Sequence, residues 1–412
     1  MIDVQKIREQ PDAVRAGIQK KGLDGALVDR FLEIDAAWRK QVQKIEISKA
    51  ALNKLSQERN ITAARAEKTK IKDQEGTVKA LETDRLAILR LIPNLPLAHV
   101  PAGGAADSVV IRTVGEKPKF DFPPQDHLAL GEALDIIDVK RAAKVSGTRF
   151  GYLKGAGALL EFAMFRFAID LVTKKGFTFV VPPVLVKKES MAAMGYIERG
   201  AEEIYTTQDD LVLVGTSEQS IGPMHMNETF NESDLPKRYV AFSPCFRREA
   251  GSHGQDTRGI LRLHQFNKLE MLSFTTPADA SAEHELFLNI EEDLMCSLAL
   301  PFQVLNIAAG DLGDPTAAKY DIEAWLPGQN HGAGRYRETH STSNTTDFQA
   351  RRLNIKYRAK SGSAFVHMVN GTAFSDRPLI AILENYQQAD GSIKVPTALV
   401  PYTGFEVIQA NV

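Results

Sequence analysis

The chain has 412 residues, 43% of them hydrophobic and 25% charged, which is typical of a globular protein with two or three domains. Its 50 basic and 52 acidic side chains give a net charge of −2, so it lacks the positive excess of a general nucleic-acid or membrane-surface binder. Two cysteines, Cys245 and Cys296, exclude a disulfide framework and a Cys-rich zinc site. A mixed histidine and carboxylate metal site stays open. We expect a cytoplasmic protein, because the charged N-terminus lacks the apolar core of a signal peptide and no apolar run could span a membrane.

The first region with a clear pattern is residues 27–92, a proline-free stretch rich in strong helix formers. Apolar side chains recur there every seven residues, at Phe31, Trp38, Ile45 and Leu52. Such a repeat keeps one seam of a helix facing a partner helix. We therefore predict an antiparallel helical hairpin with limbs of about 30 residues, each roughly 45 Å long. The turn is predicted near residues 60–62, with residues 73–76 as the alternative.

The predicted hairpin carries a local excess of positive charge. Between residues 49 and 72 there are seven basic and two acidic residues, a local charge of +5, which leaves −7 for the rest of the chain. The basic residues are Lys49, Lys54, Arg59, Arg65, Lys68, Lys70 and Lys72. Two interpretations are open: the solvated face of a coiled coil, or a basic finger that contacts phosphates.

After Pro96 the pattern becomes mixed. Residues 157–175 have helical spacing, and short apolar runs follow at 211–215, 237–246, 269–274 and 302–310. These runs predict an antiparallel sheet with flanking helices, an α+β fold, because the short helix–strand alternation of a parallel sheet is absent. The sequence also lacks the GxxxxGK[ST], GxGxxG, GxSxG and HExxH motifs, so any nucleotide would be held by side chains.

The segment 246–270, FRREAGSHGQDTRGILRLHQFNKLE, has strand-like ends and a polar, glycine-rich middle. Many opposite charges fall within these 25 residues, as a site for a phosphate and an amine requires. They are the arginines Arg247, Arg248, Arg258 and Arg262 and the glutamates Glu249 and Glu270. A salt-bridged hairpin is the alternative. Phe266 is either a core residue or a stacking surface.

Four further segments contain polar residues suited to binding. Glu338 and Ser341 are three residues apart and offer the oxygen ligands that Mg²⁺ prefers, although a surface turn is the commoner reason for such a pair. The triplets 216–218 and 370–372 are weaker signals, and Arg377 either pairs with Asp376 or binds a phosphate.

Taken together, these segments resemble the bacterial-type seryl-tRNA synthetases, a family of class II aminoacyl-tRNA synthetases. The resemblance spans nearly the whole chain and rests on FRREAGSHGQDTRGILRLHQFNKLEM, the TSE triplet at 216–218, YDIEAWLP, YRETHSTSNTTDFQARR and NGT followed by AILENYQQADGSIKVPTALVPYTG. It implies a class II catalytic core at 99–412 and an N-terminal tRNA-binding domain at 1–98 whose coiled-coil arm is residues 27–92. It also implies a homodimer, with Pro182 in an interface element.

The resemblance also implies residue roles. Arg247 and Arg377 would be catalytic. Serine would be bound by Thr216, Ser217, Glu218, Arg247, Glu270 and Thr372. ATP would be bound by Arg247, Arg248, Glu249, Leu263, His264, Gln265, Phe266, Glu338, Thr339, His340, Ser341 and Arg377. Mg²⁺ would be held through ATP by Glu338 and Ser341, with no structural zinc. The tRNA would be contacted by Lys54, Arg59, Arg65 and Lys68.

The implied reaction is activation of L-serine by ATP and transfer of the seryl group to serine tRNA and, where present, selenocysteine tRNA. Two departures from the family pattern stand out: Asp376-Arg377-Pro378 replaces Gly-Arg-Thr, and the arm is shorter than most by about 20 residues. Two alternatives remain. One is an amino-acid-activating ligase that loads a carrier protein, against which residues 27–92 argue. The other is a coiled-coil interaction protein with a decayed catalytic domain, which the intact motifs oppose.

Overall fold

The structure is a computed structural model that describes residues 1–251, 256, 258–360 and 362–409. Residues 252–255 and 257, which belong to the arginine-rich segment discussed above, lie outside this part. The chain divides into two compact units, Met1–Leu95 and Pro96–Val412. No helix in the described ranges is both long enough and apolar enough to cross a membrane.

The first unit is helical. Its helices are α1 Val4–Glu9, α2 Pro11–Lys20, α3 Ala26–Gln57 and α4 Ile61–Leu91. The long helices α3 and α4 pack against each other as the predicted hairpin. The chain reverses at Arg59, which has a left-handed φ of 55°, and Asn60 caps α4 by accepting a 3.2 Å hydrogen bond from the N–H of Ala63. The turn predicted near residues 60–62 is confirmed, and the alternative at 73–76 is wrong because α4 continues through Gly76.

A buried carboxylate joins the helices at the end of the hairpin opposite the turn. The Asp35 side chain is fully buried and accepts hydrogen bonds from Arg8 at 2.8 Å, Arg39 at 3.1 Å and Arg85 at 2.7 Å. The Arg85 guanidinium also lies over the Trp38 ring, 4.7 Å from its centroid. Burial raises the pKa of Asp35, but the hydrogen bonds from Arg8 and Arg85 outweigh burial and lower it overall.

Asp35→Ala is expected to lower the free energy of unfolding of this unit by about 2–3 kcal/mol, because three arginines lose their shared buried partner. In a Trp325→Phe background Trp38 is the only tryptophan, so its fluorescence during urea unfolding reports on this unit. Asp29→Ala, which breaks an exposed pair with Arg15, is the control and should have a much smaller effect. Equal losses in the two variants would contradict the assignment.

The same carboxylate makes the stability of the first unit depend on pH. The folded pKa of Asp35 is lowered, so its stabilisation is fully present above the unfolded value of about 3.9. It is lost as the pH falls through the folded pKa. The free energy of unfolding of Asp35→Ala should therefore fall less steeply than that of the wild type as the pH is lowered through this range.

The second unit is built on one large sheet. The strands of the unit are β1 Val109–Val114, β2 Ile137–Asp138, β3 Tyr152–Leu153, β4 Thr178–Val180, β5 Leu185–Lys187, β6 Leu211–Leu213, β7 Thr229–Asn231, β8 Lys237–Phe246, β9 Gln265–Thr275, β10 Phe302–Asn306, β11 Ala318–Leu326, β12 Arg335–Thr346, β13 Lys356–Ala359, β14 Gly362–Phe365, β15 His367–Ser375, β16 Ile393–Lys394 and β17 Val407–Ile408. The eight-stranded sheet has the order β1-β10-β11-β12-β15-β9-β8-β4. Its neighbours are antiparallel except for β4, which is parallel to β8. The predicted α+β fold is confirmed.

Helices cover the apolar face of this sheet. The helices of the unit are α5 His127–Ala133, α6 Val139–Ser146, α7 Gly155–Lys174, α8 Lys188–Met194, α9 Glu218–Ile221, α10 Ala280–Ser297, α11 Phe348–Leu353, α12 Arg377–Asn385 and α13 Val400–Thr403. The helices α7, α10 and α12 contribute Met164, Phe287 and Ile380 to the main core. Along β9, Leu269 and Met271 enter this core, so Lys268 and Glu270 point to the opposite face, because successive side chains of a strand alternate.

Candidate active site

A cavity of about 670 Å³ lies on the polar face of the central strands, within the size range of small-molecule sites. Most of the residues that the resemblance assigns to serine and ATP line it. These are Thr216, Glu218, Arg247, Glu249, Leu263, Phe266, Glu270, Glu338, Thr339, Ser341, Thr372 and Arg377. They come from α9, β9, β12, β15, the start of α12 and connecting loops, and the sheet brings them together.

One end of the cavity is rich in buried polar groups. Glu270 on β9 is paired in register with Thr372 on β15. Lys268 places its Nζ 2.5 Å from Glu270 Oε2 and donates to Thr216 Oγ1 at 3.4 Å. The Lys268 ammonium thus neutralises Glu270 while leaving its carboxylate at the cavity wall. This set suits a small ligand that carries several polar groups.

Glu218 is held at the same end by two donors. It accepts hydrogen bonds from Tyr196 Oη at 2.9 Å and from Gln349 Nε2 at 2.7 Å. Burial raises the pKa of Glu218, and the negative charge of Glu270 raises it further. A second carboxyl close to Glu270 favours a ligand with a positively charged group, because an ammonium would relieve this repulsion.

The other end of the cavity is cationic. Arg377 Nη1 lies 3.3 Å from Glu338 Oε2 and donates to the Glu338 backbone oxygen at 3.0 Å. Desolvation raises the pKa of Glu338, but Arg377, Lys319 and Arg247 together outweigh it and hold the pKa at about 2. Arg247 donates from Nε to Gly215 O at 3.1 Å. Lys319 is also paired with Asp321 at 3.1 Å, so Arg377 and Arg247 are the cations available for an anion such as a polyphosphate.

Arg377 lines the cavity although Asp376 stands where the family usually has glycine. Asp376 is buried just before α12, where its Oδ2 accepts a 3.1 Å hydrogen bond from Asn267 N. Asn267 also donates from Nδ2 to Glu161 Oε1 at 2.8 Å. Burial, with Glu161 nearby, raises the pKa of Asp376 well above its ordinary value. The Asp376 carboxyl is thus engaged by the Asn267 backbone, and Arg377 pairs with Glu338 instead.

Apolar and aromatic side chains also line the cavity. Phe266 lies under Arg247, whose guanidinium carbon is 5.1 Å from the ring centroid. Leu263 lines the cavity nearby, and Glu249 is paired with Arg262 at 2.5 Å. The Phe266 ring and the Arg247 guanidinium each present a planar face on which a flat ring system could stack.

Five residues named by the resemblance do not line the cavity. They are Ser217, Arg248, His264, Gln265 and His340. Ser217 is buried and donates to Ala241 O at 3.0 Å, while Arg248 and Gln265 are exposed. His264 donates from Nδ1 to Arg247 O at 3.0 Å, and burial lowers the pKa of His340 to about 3. Their roles stay predictions.

The four predicted tRNA contacts lie on the first unit. Lys54, Arg59, Arg65 and Lys68 are all exposed. A shallow hollow of about 430 Å³ beside the turn is lined by Arg59, Arg65 and Lys68 together with apolar residues such as Ile61. The exposed apolar Ile61, at 69%, lies among these cations.

Comparison with known proteins identifies the family. Residues 1–96 match the seryl-tRNA synthetase N-terminal domain, and residues 203–386 match the tRNA synthetase class II core domain (G, H, P, S and T). The serine–tRNA ligase of Nocardia farcinica (strain IFM 10152) is 47% identical over 421 residues, with 99% of each chain covered.

Two solved structures are also similar over their whole length. The seryl-tRNA synthetase from Pyrococcus horikoshii complexed with ATP gives a TM-score of 0.95 at 36% identity, covering 100% of both chains. The cytoplasmic serine–tRNA ligase from Naegleria fowleri in complex with AMP gives a TM-score of 0.92 at 33% identity, covering 100% of this chain and 99% of that chain. The chain described here therefore belongs to the seryl-tRNA synthetase family.

Proposed function

We propose that this chain is a serine–tRNA ligase, which uses ATP to join L-serine to the 3′ end of serine tRNA. The observation that carries the proposal is the arrangement of one cavity. The buried set of Glu270, Lys268 and Thr372 lies in the same cavity as the cationic residues Arg247 and Arg377. Serine and the phosphates of ATP match these two ends. Residues 1–98 would bind tRNA and residues 99–412 would catalyse the reaction.

The reaction would proceed in two steps. A serine carboxylate oxygen attacks the α-phosphorus of ATP, the bond from this phosphorus to the bridging oxygen breaks, and pyrophosphate leaves with the electron pair. The 3′-hydroxyl of the terminal adenosine then attacks the seryl carbonyl, loses its proton, and AMP leaves. The protein supplies no nucleophile, so its residues act by aligning reactants and stabilising phosphate charge.

The family resemblance implies a specific role for each of these cavity residues. Arg247 would bind the α-phosphate and the serine carboxylate, and Arg377 the γ-phosphate. Phe266 would stack on the adenine. Glu270 and Thr372 would bind the serine hydroxyl, with Lys268 holding Glu270 in place.

Magnesium would accompany ATP. Among the described residues, no group of three or more histidine, cysteine, aspartate or glutamate side chains could hold a metal ion unaided. Glu338 and Ser341 line the cavity and offer only oxygen donors, which a hard cation takes together with phosphate oxygens. These residues would hold Mg²⁺ jointly with ATP, and the ion would neutralise part of the phosphate charge.

Glu270→Ala is expected to lower kcat/KM for serine at least about 100-fold in ATP–pyrophosphate exchange, because the hydroxyl loses a buried charged acceptor and Lys268 is left unpaired. The KM for ATP should change little. Glu292→Ala, which removes a carboxylate paired with Arg112 outside the cavity, should behave as the wild type. Normal use of serine by the Glu270 variant would refute the role of Glu270.

The enzyme would act as a homodimer. The solvent face of α7 exposes Leu159 by 56% and Phe162 by 63%, and Val181, next to edge strand β4, is 72% exposed. The helix α7 contacts β4, so these side chains belong to one region of the unit. Clustered exposed apolar side chains mark interaction surfaces, and Pro182 of the implied interface element adjoins them.

Phe162→Asp is expected to convert a particle of twice 45.4 kDa into one of 45.4 kDa, because the charge cannot be buried unpaired in the interface. Light scattering coupled to size-exclusion chromatography measures this directly. Ile47→Asp changes a side chain of similar exposure, 64%, on the first unit and should remain dimeric. A wild-type monomer, or a dimer in both variants, would contradict the proposed interface.

Two assays separate the ligase from its alternatives. Serine-dependent ATP–pyrophosphate exchange followed by charging of serine tRNA is the result that the proposal predicts. Exchange without tRNA charging would favour a ligase that loads a carrier protein. Absence of exchange would favour an interaction protein with a decayed catalytic domain. A cytoplasmic location fits the tRNA substrate and the free thiols of Cys245 and Cys296.

A further inference from the structure

His127, the first residue of α5, is a buried histidine outside the cavity whose two ring nitrogens are both engaged. It is 3% exposed. Its Nδ1 lies 3.0 Å from Glu384 Oε1, and its Nε2 lies 3.2 Å from the backbone nitrogen of Ile260. A backbone N–H can only donate, so Nε2 must be unprotonated and Nδ1 must carry the proton. The imidazole is therefore neutral and in a single tautomer.

Glu384 fixes the orientation of the His127 imidazole through its Nδ1 atom. This fully buried carboxylate of α12 accepts hydrogen bonds from His127 N at 3.0 Å, His127 Nδ1 at 3.0 Å, Gly328 N at 2.9 Å and Gln329 Nε2 at 2.9 Å. Three of these bonds end on Oε1 and one ends on Oε2, so both carboxylate oxygens are anchored. Because Glu384 cannot turn away without losing all four, the ring plane of His127 is held rigidly.

The Nε2 atom of His127 accepts a hydrogen bond from Ile260, which begins a segment that lines the cavity. Residues 260–263, between β8 and β9, all line it, and Arg262 pairs with Glu249 at 2.5 Å. Gly259 has a φ of 77°, and a Cβ atom there would lie 2.2 Å from His127 Nε2. Only glycine allows the backbone this close to the imidazole. Gly259 therefore lets the neighbouring Ile260 amide come within hydrogen-bond distance of His127 Nε2.

We propose that His127 is a positioning residue for the ATP end of the site, acting through the Ile260 amide to hold residues 260–263 in their binding conformation. The inference rests on the proposed function only in naming ATP as the ligand. Loss of the bond leaves a buried N–H unsatisfied and frees the segment, so ATP must then order it on binding. Serine, bound at the other end, should be unaffected.

Three substitutions test this proposal. Asparagine can reach Glu384 but is too short to reach Ile260, whereas the Oε1 of glutamine reaches the position of Nε2. We expect His127→Ala and His127→Asn to raise the KM for ATP about tenfold in the exchange reaction, and His127→Gln to stay within about threefold of the wild type. The KM for serine should change less than twofold in all three.

The control is His225→Ala. His225 is also paired with a carboxylate, Glu228, at 2.8 Å, and its other nitrogen contacts the Tyr239 hydroxyl at 2.9 Å, but it does not line the cavity. This variant should keep both KM values. A purely structural role for His127 would raise both KM values in proportion to the loss of thermal stability, and a normal KM for ATP in His127→Asn would equally overturn the proposal.

Direct measurements keep the test independent of catalysis. Equilibrium dialysis of ATP should give a dissociation constant about tenfold higher for His127→Asn than for His127→Gln. Hydrogen exchange of the wild type should show a protected Ile260 amide, and an unprotected one would overturn the proposal. If the wild type binds ATP but shows no serine-dependent exchange, the ligase proposal fails while these two measurements still decide the role of His127.

Discussion

Replacing Arg247 with alanine is expected to lower kcat/KM for serine-dependent exchange by about 10³-fold, mainly through kcat. The Arg247 guanidinium lies at the cavity between Gly215 and Phe266, where it could bind both the serine carboxylate and the α-phosphate. Preorganised charge at the point where negative charge develops is typically the largest single contribution to such a reaction. Lysine should restore only part of the rate, because an ammonium cannot bind two groups through a planar fork.

Arg112→Ala provides the matched control for Arg247. Arg112 is paired with Glu292 at 2.6 Å outside the cavity, so its removal should leave exchange within about twofold of the wild type. A fall of similar size in both variants would mean that the Arg247 variant is damaged in folding. Activity of Arg247→Ala near the wild-type rate would remove Arg247 from the proposed chemistry.

The second large effect is expected on the tRNA step alone. Deleting residues 45–75 and closing the hairpin with a glycine-containing turn should lower tRNA charging at least about 10³-fold, because it removes Lys54, Arg59, Arg65 and Lys68. The Asp35–Arg85 and Lys49–Glu75 ion pairs show that residues 44 and 76 lie on facing turns, so the shortened helices stay paired. Exchange, which needs no tRNA, should stay within about twofold.

A variant that keeps the hairpin but removes its positive charges separates the contribution of charge to tRNA binding from that of shape. Glutamine at positions 54, 59, 65 and 68 together should reduce the slope of log affinity for tRNA against log salt by about 3, because about four phosphate contacts are lost. An unchanged slope together with unimpaired charging would show that the basic face of the hairpin is only solvated surface.

The hairpin could be predicted largely from the sequence. The absence of proline and the composition of residues 27–92 indicate long helices, and Asn60 indicates a cap. The heptad positions were less informative. Phe31 and Ile45 are buried, but polar Asp35 and Ser48 are buried as well, whereas Trp38 is only half-buried. The three arginines around Asp35 come from distant positions in the chain, and no local pattern indicates that they meet.

The candidate site likewise combines residues that sequence motifs indicate with residues that only the fold brings together. Glu270 and Arg247 lie in recognisable motifs, whereas Lys268, Lys319, Tyr196 and Gln349 were not singled out. Lys268 is the one that a local signal could have found, since it lies two residues before Glu270 on the same face of a strand. Lys319, Tyr196 and Gln349 reach the site only through strand pairing and packing between remote segments, which periodicity does not reveal.

The most direct test of the central claim is a crystal structure with a non-hydrolysable seryl-adenylate analogue in which a sulfamate replaces the phosphate. We predict that the analogue lies in the cavity with its adenine against Phe266, its sulfamate at Arg247 and its seryl hydroxyl at Glu270 and Thr372. An analogue bound outside the cavity, or one whose seryl hydroxyl points away from Glu270, would contradict the proposed mechanism.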